Sequence, residues 1–302
     1  MIERPHVSAV AAAEPETRPR GDRVERRRRR LPFAGNVGLA TLVAVALAAI
    51  GAPHVAPRNP LGQDLAVRLS PPGTRGAHGE VFWLGTDGLG RDLLSRLIYG
   101  TRASLAVAGL AVACSGALGV LMGLVAGYYG GWVGAVAMRF VDLVLSIPFL
   151  LLAIAVVAAL GPGLQHTVLV LGLTRWPRYA RVAFAQTLAG RAREFVEAAR
   201  ALGGTDLRVM LRHVLPEVLP SVVVVATLEI GLMIVYEAAL SFLGLGVQPP
   251  TPSWGGMLAD GRSYLASAWW LATFPGLAIM ITVLGANLLG DAVRDRLDPR
   301  VR

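Results

Sequence analysis

Six apolar runs, each long enough to cross a lipid bilayer, constrain this chain more than any other feature. They fall at about 34–57, 101–127, 136–160, 163–184, 218–243 and 268–290. A span needs roughly 20 residues at 1.5 Å each to cross a hydrocarbon layer of about 30 Å. In lipid every backbone N–H and C=O must be satisfied internally, so such runs become helices. The expected fold is therefore all-α and polytopic, with about six transmembrane helices. Composition agrees. Only 16% of the 302 residues are charged and 54% are hydrophobic, against about 25% charged in soluble domains.

What is missing excludes several kinds of chemistry. All 29 basic residues other than histidine are arginine. Without lysine there is no P-loop and no Schiff-base nucleophile, so any nucleotide must be held by another chain. The only cysteine, Cys114, lies inside an apolar run and reads as a small packed side chain. Five scattered histidines show no metal-ligand spacing, and no paired acid and base or nucleophile elbow is visible. Catalytic, cofactor and metal sites are expected to be absent.

The expected division is a basic tail (1–33), read as disordered from its composition, a first span (34–57), a loop (58–100), a membrane domain (101–290) and a C-terminal tail (291–302). The run Arg26–Arg30 immediately precedes the first span. By the positive-inside rule it holds that end in the cytoplasm; nucleic-acid binding and a twin-arginine export signal are weaker accounts. Six spans then put both termini inside. The segment 185–217 falls on the inner side and 244–267 on the outer. From Arg175 to Glu217 there are eight arginines against four acids, while 244–267 carries only Asp260 and Arg262. The bias fits the alternation.

Within the second span Ser115, Gly119, Gly123, Gly127 and Gly131 recur every fourth residue. Small-xxx-small faces let helices approach closely in lipid, so this helix is expected deep in the bundle or at a subunit seam. In the fourth span Arg175, Arg178 and Arg181 must snorkel or face protein.

The inner segment "EFVEAARALGGTDLRVMLRHVLP" (194–216) is polar and broken by glycine. Phe195, Ala198, Ala199 and Leu202 make one face of a short helix, which Gly203-Gly204 ends. Thr205 is placed to cap a second helix carrying Leu207, Met210, Leu211 and Val214, stopping before Pro216. Helices this short do not persist alone in water. One face can pack on the bundle. The alanine face, flanked by Glu194, Glu197 and Arg200, suits a groove on a cytoplasmic partner, and a helix lying at the membrane surface is the alternative.

This segment resembles the EAA motif of permease subunits in binding-protein-dependent ABC importers. Other stretches narrow the resemblance: "WLGTDGLGRDLLSRLIYGTRASL" (83–105), "GYYGGWVGAVAMRFVDLVLSIPFLLLAI" (127–154), "EAALSFLGLGVQPPTPSWGGMLADGR" (237–262) and "NLLGDAVRDRLDPR" (287–300). All are similar to the dipeptide/oligopeptide/nickel branch, and to the second of its two permeases. The resemblance implies a type I importer fold in the cytoplasmic membrane and a heterodimeric pore with a second, related permease. It also implies two ATP-binding subunits, a periplasmic or lipid-anchored substrate-binding protein, and no nucleic acid. It gives Glu197, Ala198, Ala199 and Gly203 the coupling role, with Leu215-Pro216 opening the fifth span. Glu217 stands where the family usually has asparagine.

Glu229 and Glu237 lie in the fifth span. Carboxylates there are costly and mark functional-site candidates. Glu229 is a candidate to line the pathway and meet a peptide's ammonium group, or else is a paired or protonated carboxyl. Glu237 is expected to pair, for example with a loop arginine. Asp87, Arg91 and Asp92 are expected to pair with one another or to meet the binding protein. Trp254 reads as an interfacial anchor and Arg139–Asp142 as a structural pair. A secondary transporter using Glu229 as ion or proton site is the competing class, although no inverted repeat supports it.

Overall fold

The computed structural model describes residues 33–77 and 79–297. The arginine-rich tail and the last five residues lie outside the described residues. Among the described residues eleven α-helices form in chain order: α1 (Phe33–Ile50), α2 (Ala52–Val55), α3 (Leu93–Tyr129), α4 (Gly131–Ser146), α5 (Phe149–Leu160), α6 (Leu164–Gly190), α7 (Glu194–Ala201), α8 (Asp206–Val209), α9 (Leu215–Phe242), α10 (Trp254–Arg262) and α11 (Trp270–Leu297). Two-residue strands β1 (Thr74–Arg75) and β2 (Val81–Phe82) pair antiparallel in the 58–92 loop.

Four stretches among the described residues are long and apolar enough to span a membrane: α1, α3, α8 through α9, and α11. The α4/α5 pair makes a fifth if counted as one. The sequence predicts six spans, and two of these runs take a form that it does not specify. The run 136–160 is two helices bent by 85°, because Pro148 has no N–H to donate and forces Ile147 into an extended conformation. The fourth, α6, is 27 residues long but carries three arginines within a seven-residue stretch, too polar to count as an apolar span. Two boundaries also move. α3 begins at Leu93, where the Asp92 carboxylate accepts the Ser95 N–H at 2.8 Å and caps the helix, and α11 runs to Leu297, well into the predicted tail.

The bundle is organised around α3 and α6, the most extensively paired helices. Ser115, Gly119 and Gly123 are buried on the α3 face turned to α6. A Cβ on Gly119 would collide with the Trp176 carbonyl and the Tyr179 side chain, and one on Gly123 with the Ala180 carbonyl. One on Gly127 would sit 2.7 Å from Thr187 Cβ. The small-residue stripe therefore works within the subunit. Gly131 falls off it, starting α4 with φ +50°. α9 packs on both α3 and α6, and α1 joins at the edge through α11, where Gly38 lies against the Gly285 carbonyl.

Gly119→Ala is expected to lower stability by about 1–3 kcal/mol through overpacking. Gly109→Ala, on the same helix with no atom within 4 Å of the added Cβ, should be neutral or stabilising by up to about 1 kcal/mol. Thermal unfolding of both variants in detergent measures the difference.

Candidate functional site

Two structures stand out: a glycine elbow at one end of the bundle and a charged cluster at its middle. At the elbow α7 ends in a Schellman motif. The Gly204 N–H donates to the Ala199 carbonyl at 3.0 Å and the Gly203 N–H to the Arg200 carbonyl at 2.9 Å. Gly203 takes φ +81°, which glycine tolerates best. A Cβ on Gly204 would stand 2.7 Å from the Ala199 carbonyl oxygen. One glycine supplies the turn and the other the clearance. Glu194 and Glu197 lie in the first turn of α7, where acids complement the helix dipole.

The elbow is seated on the bundle by Val196, Val209, Met210 and Val214, packed with Leu124 and Tyr128 from the end of α3. The Tyr128 hydroxyl donates to Asp206 at 2.8 Å, and Arg200 lies 4.8 Å from the centre of the Tyr128 ring. The Arg191 guanidinium donates to the Tyr128 carbonyl, and Arg193 pairs with Glu217 at 2.7 Å. The face that periodicity marks on α7 is the one left uncovered. The buried residue is Val196, while Phe195, Ala198 and Leu202 point outward, Leu202 being 89% exposed. Leu207 and Leu211 continue this apolar crest at 62% and 48% exposure.

The second helix of the elbow does not stop before Pro216. It runs through a π-helical turn, Met210–Val214, into Leu215 and α9. Pro216 lacks an N–H and sits at the start of α9, and the wider turn beside it fits a helix that has lost one α-type bond there. Thr205 occupies the cap position with extended backbone but makes no side-chain cap hydrogen bond.

At mid-bundle the Glu229 carboxylate is 1% exposed. Arg175 Nη2 donates to its Oε1 at 2.8 Å and Nε to its Oε2 at 3.1 Å. Arg178 Nη1 donates to Oε1 at 3.0 Å. The Tyr236 ring lies 5.1 Å from the Arg175 guanidinium. Glu229 thus faces these guanidinium groups rather than open space. Three residues apart on α6, Arg175 and Arg178 reach the same point on α9. Arg181, three further on, turns to α4 and pairs with Asp142 at 2.6 Å. Asp142 thus takes its arginine from α6 rather than Arg139, which lies three residues before it on the same helix.

Glu237 is also fully buried, but its partners are hydroxyls. It accepts from Ser104 at 3.0 Å and Ser241 at 2.8 Å, so no loop arginine reaches it. Ser104 in turn accepts the Trp254 N–H. Trp254 is 2% exposed, with its indole N–H donating to the Leu97 carbonyl at 3.0 Å, and is an internal wedge instead of an interfacial anchor.

Asp87, Arg91 and Asp92 lie at the bundle end opposite the elbow. Asp87 accepts from the N–H groups of Leu89 and Arg91 and from the guanidinium groups of Arg91 and Arg96. Asp260 approaches Arg96 at 3.6 Å. Burial pushes the Asp260 carboxyl above its usual range, against the lowering pull of Arg91. Asp87, Arg91, Arg96 and Asp260 line a cavity of about 510 Å³ with Arg68 and Tyr264. Among the described residues no three histidine, cysteine or acidic side chains are grouped to hold a metal ion.

Residues 119–302 match the family described as binding-protein-dependent transport system inner membrane component. The chain belongs to this family. It is similar to the di/tripeptide transport system permease protein DppC of Pseudomonas aeruginosa, 45% identical over 88% of both chains. It is also similar to the probable D,D-dipeptide transport system permease protein DdpC of Escherichia coli, 42% identical over 86% of this chain and 85% of that one. The glutathione transport system permease protein GsiD of Pectobacterium atrosepticum is 45% identical over 73% of each. Among solved structures, a chain of the MetNI methionine ABC transporter matches with a TM-score of 0.55 at 21% identity, covering 67% of this chain and 96% of that one. That likeness concerns the fold, which is that of a type I importer permease. The chain is a multi-pass permease subunit of an ABC importer.

The Arg175–Glu229 contact is a test of the packing. Removing the shared carboxylate leaves the buried Arg175 without its counter-charge, so Glu229→Ala is expected to cost about 3–5 kcal/mol, and Arg175→Ala less, because Glu229 keeps Arg178 at 3.0 Å. The double variant Arg175→Met/Glu229→Leu should lose less than Glu229→Ala. Melting temperatures in detergent give the comparison.

Proposed function

We propose that this chain is one of two related permeases forming a heterodimeric pore that carries peptides into the cell. Two ATP-binding subunits drive the pore from the cytoplasm and a substrate-binding protein feeds it from outside. Both termini lie in the cytoplasm, as the arginine bias of 185–217 supports. This subunit binds no nucleotide and performs no catalysis of its own, in keeping with a chain that lacks lysine. The peptide assignment rests on the names of the relatives at 41–45% identity.

One observation carries the coupling role: a rigidly seated elbow that leaves its apolar crest uncovered. Glu194, Glu197, Ala198, Ala199, Arg200 and Gly203 build the elbow, and Leu215-Pro216 tie it to α9. Leu202, the most exposed large apolar residue in the elbow at 89%, would enter a groove on the ATPase. Closure of the ATPase pair would then displace the elbow as a body and tilt the helices seated on it, exchanging inward for outward access.

Leu202→Asp should leave the fold intact, because the side chain touches so little of it. ATP-driven peptide uptake by the reconstituted complex should fall by about tenfold or more, and the ATPase should co-purify poorly. Uptake at the unaltered rate, or gradient-driven uptake by this chain alone, would count against the proposal.

A further inference from the structure

The mid-bundle cluster has an odd charge. Two guanidinium groups meet one carboxylate, and the remaining positive charge sits on one side. Arg175 is engaged twice by Glu229, stacked on Tyr236 and only 8% exposed. Arg178 spends one N–H on Glu229, and 52% of its side chain is exposed. No other ion-pair partner of Arg178 is found among the described residues. Its depth is what makes this unusual. Arg178 lies fourteen residues after Leu164 and twelve before Gly190 on α6, and Glu229 lies midway along α9. Glu229 lies near the middle of the apolar run 218–243, and the Arg178 guanidinium, 3.0 Å from its carboxylate, shares that depth.

An exposed guanidinium at mid-membrane facing lipid costs at least about 2.5–3.5 kcal/mol. The face it occupies must therefore be covered by water or by another chain. A seam with the second permease would require that chain to supply matched acceptors for the remaining N–H groups at this depth. A water-filled pathway needs no such match, since the unused N–H groups stay hydrated until an anion arrives. Glu229 holds Arg178 in place and cannot itself offer a negative face.

We infer that Arg178 lines the translocation pathway and contacts the carboxylate of the transported solute, with Arg175 and Glu229 as its positioning residues. The inference rests on the import reading above and specifies the chemistry that this subunit presents. The charge displayed at mid-depth is positive, so the group recognised is a carboxylate and not an ammonium. A guanidinium offers a carboxylate paired N–H donors, and its existing bond to Glu229 tempers the attraction enough for the solute to leave again.

The test uses the whole reconstituted complex with its binding protein and ATPases. For a dipeptide with a free C-terminus, uptake should fall in the order Arg178, Arg178→Lys, Arg178→Gln, Arg178→Glu, the glutamine variant losing about tenfold. Binding-protein-stimulated ATP hydrolysis and subunit stoichiometry should hold throughout. Equal uptake by the lysine, glutamine and glutamate variants would overturn the inference, as would loss of the second permease from Arg178→Gln. A second arm does not depend on the solute. In a Cys114→Ser background, Arg178→Cys in the assembled complex should react with a membrane-impermeant methanethiosulfonate. Protection from both sides of the membrane, with and without ATP, would place residue 178 away from water and overturn the inference. Wild-type complex that takes up no peptide while position 178 is labelled would refute the peptide assignment alone.

Discussion

The close contact between α3 and α6 sets the geometry of everything else in this subunit. Glycines 119 and 123 let the two backbones meet at a separation that no Cβ on α3 could tolerate. In lipid there is little hydrophobic gain from bringing helices together, so this approach, with the dispersion contacts it permits, is what holds them. It fixes α6 relative to α9, which both α3 and α6 contact, and so brings Arg175 and Arg178 to Glu229. It also determines where α3 ends, and with that the position of the Tyr128 seat under the elbow.

The elbow and the charged cluster share this scaffold but use opposite physics. The elbow is held by apolar packing and leaves apolar surface uncovered, from Phe195 to Leu211. The cluster is held by ion pairs in a region where a lone ion is costly, and leaves a cation half-covered. Both features sit on one frame of packed helices, α3, α6 and α9.

Much of this is legible in the sequence because it is local. The four-residue recurrence of small residues on α3, the glycine pair that ends α7 and the apolar length of the spans all depend on neighbours within a turn or two. The features that escape are those that depend on pairing across helices. Nothing near Glu229 in sequence announces that its partners lie 54 and 51 residues away on α6, although three arginines spaced by three along one span are a sign that acids must be found for them. Sequence reasoning matches Glu237 to an arginine, whereas three-dimensional proximity gives it serines. The proline-rich flank of Trp254 points to a surface position, and the fold turns it inward. At Pro148 the local signal is present, but a single long apolar run conceals an 85° corner.

The π-helical turn at Met210–Val214 has a geometric consequence for the far end of the same element. A turn of this kind holds one residue more than an α-turn, and in a helix of 3.6 residues per turn each added residue rotates the downstream segment by about 100°. The azimuth at which α9 presents Glu229 to α6 is therefore written some fifteen residues earlier, in the stretch "MLRHV". Because Asp206 to Phe242 runs without a loop, that phase offset propagates undamped. Chain length between the elbow and the carboxylate acts as a compass setting: shortened by one residue, the same sequence would aim Glu229 at a different neighbour.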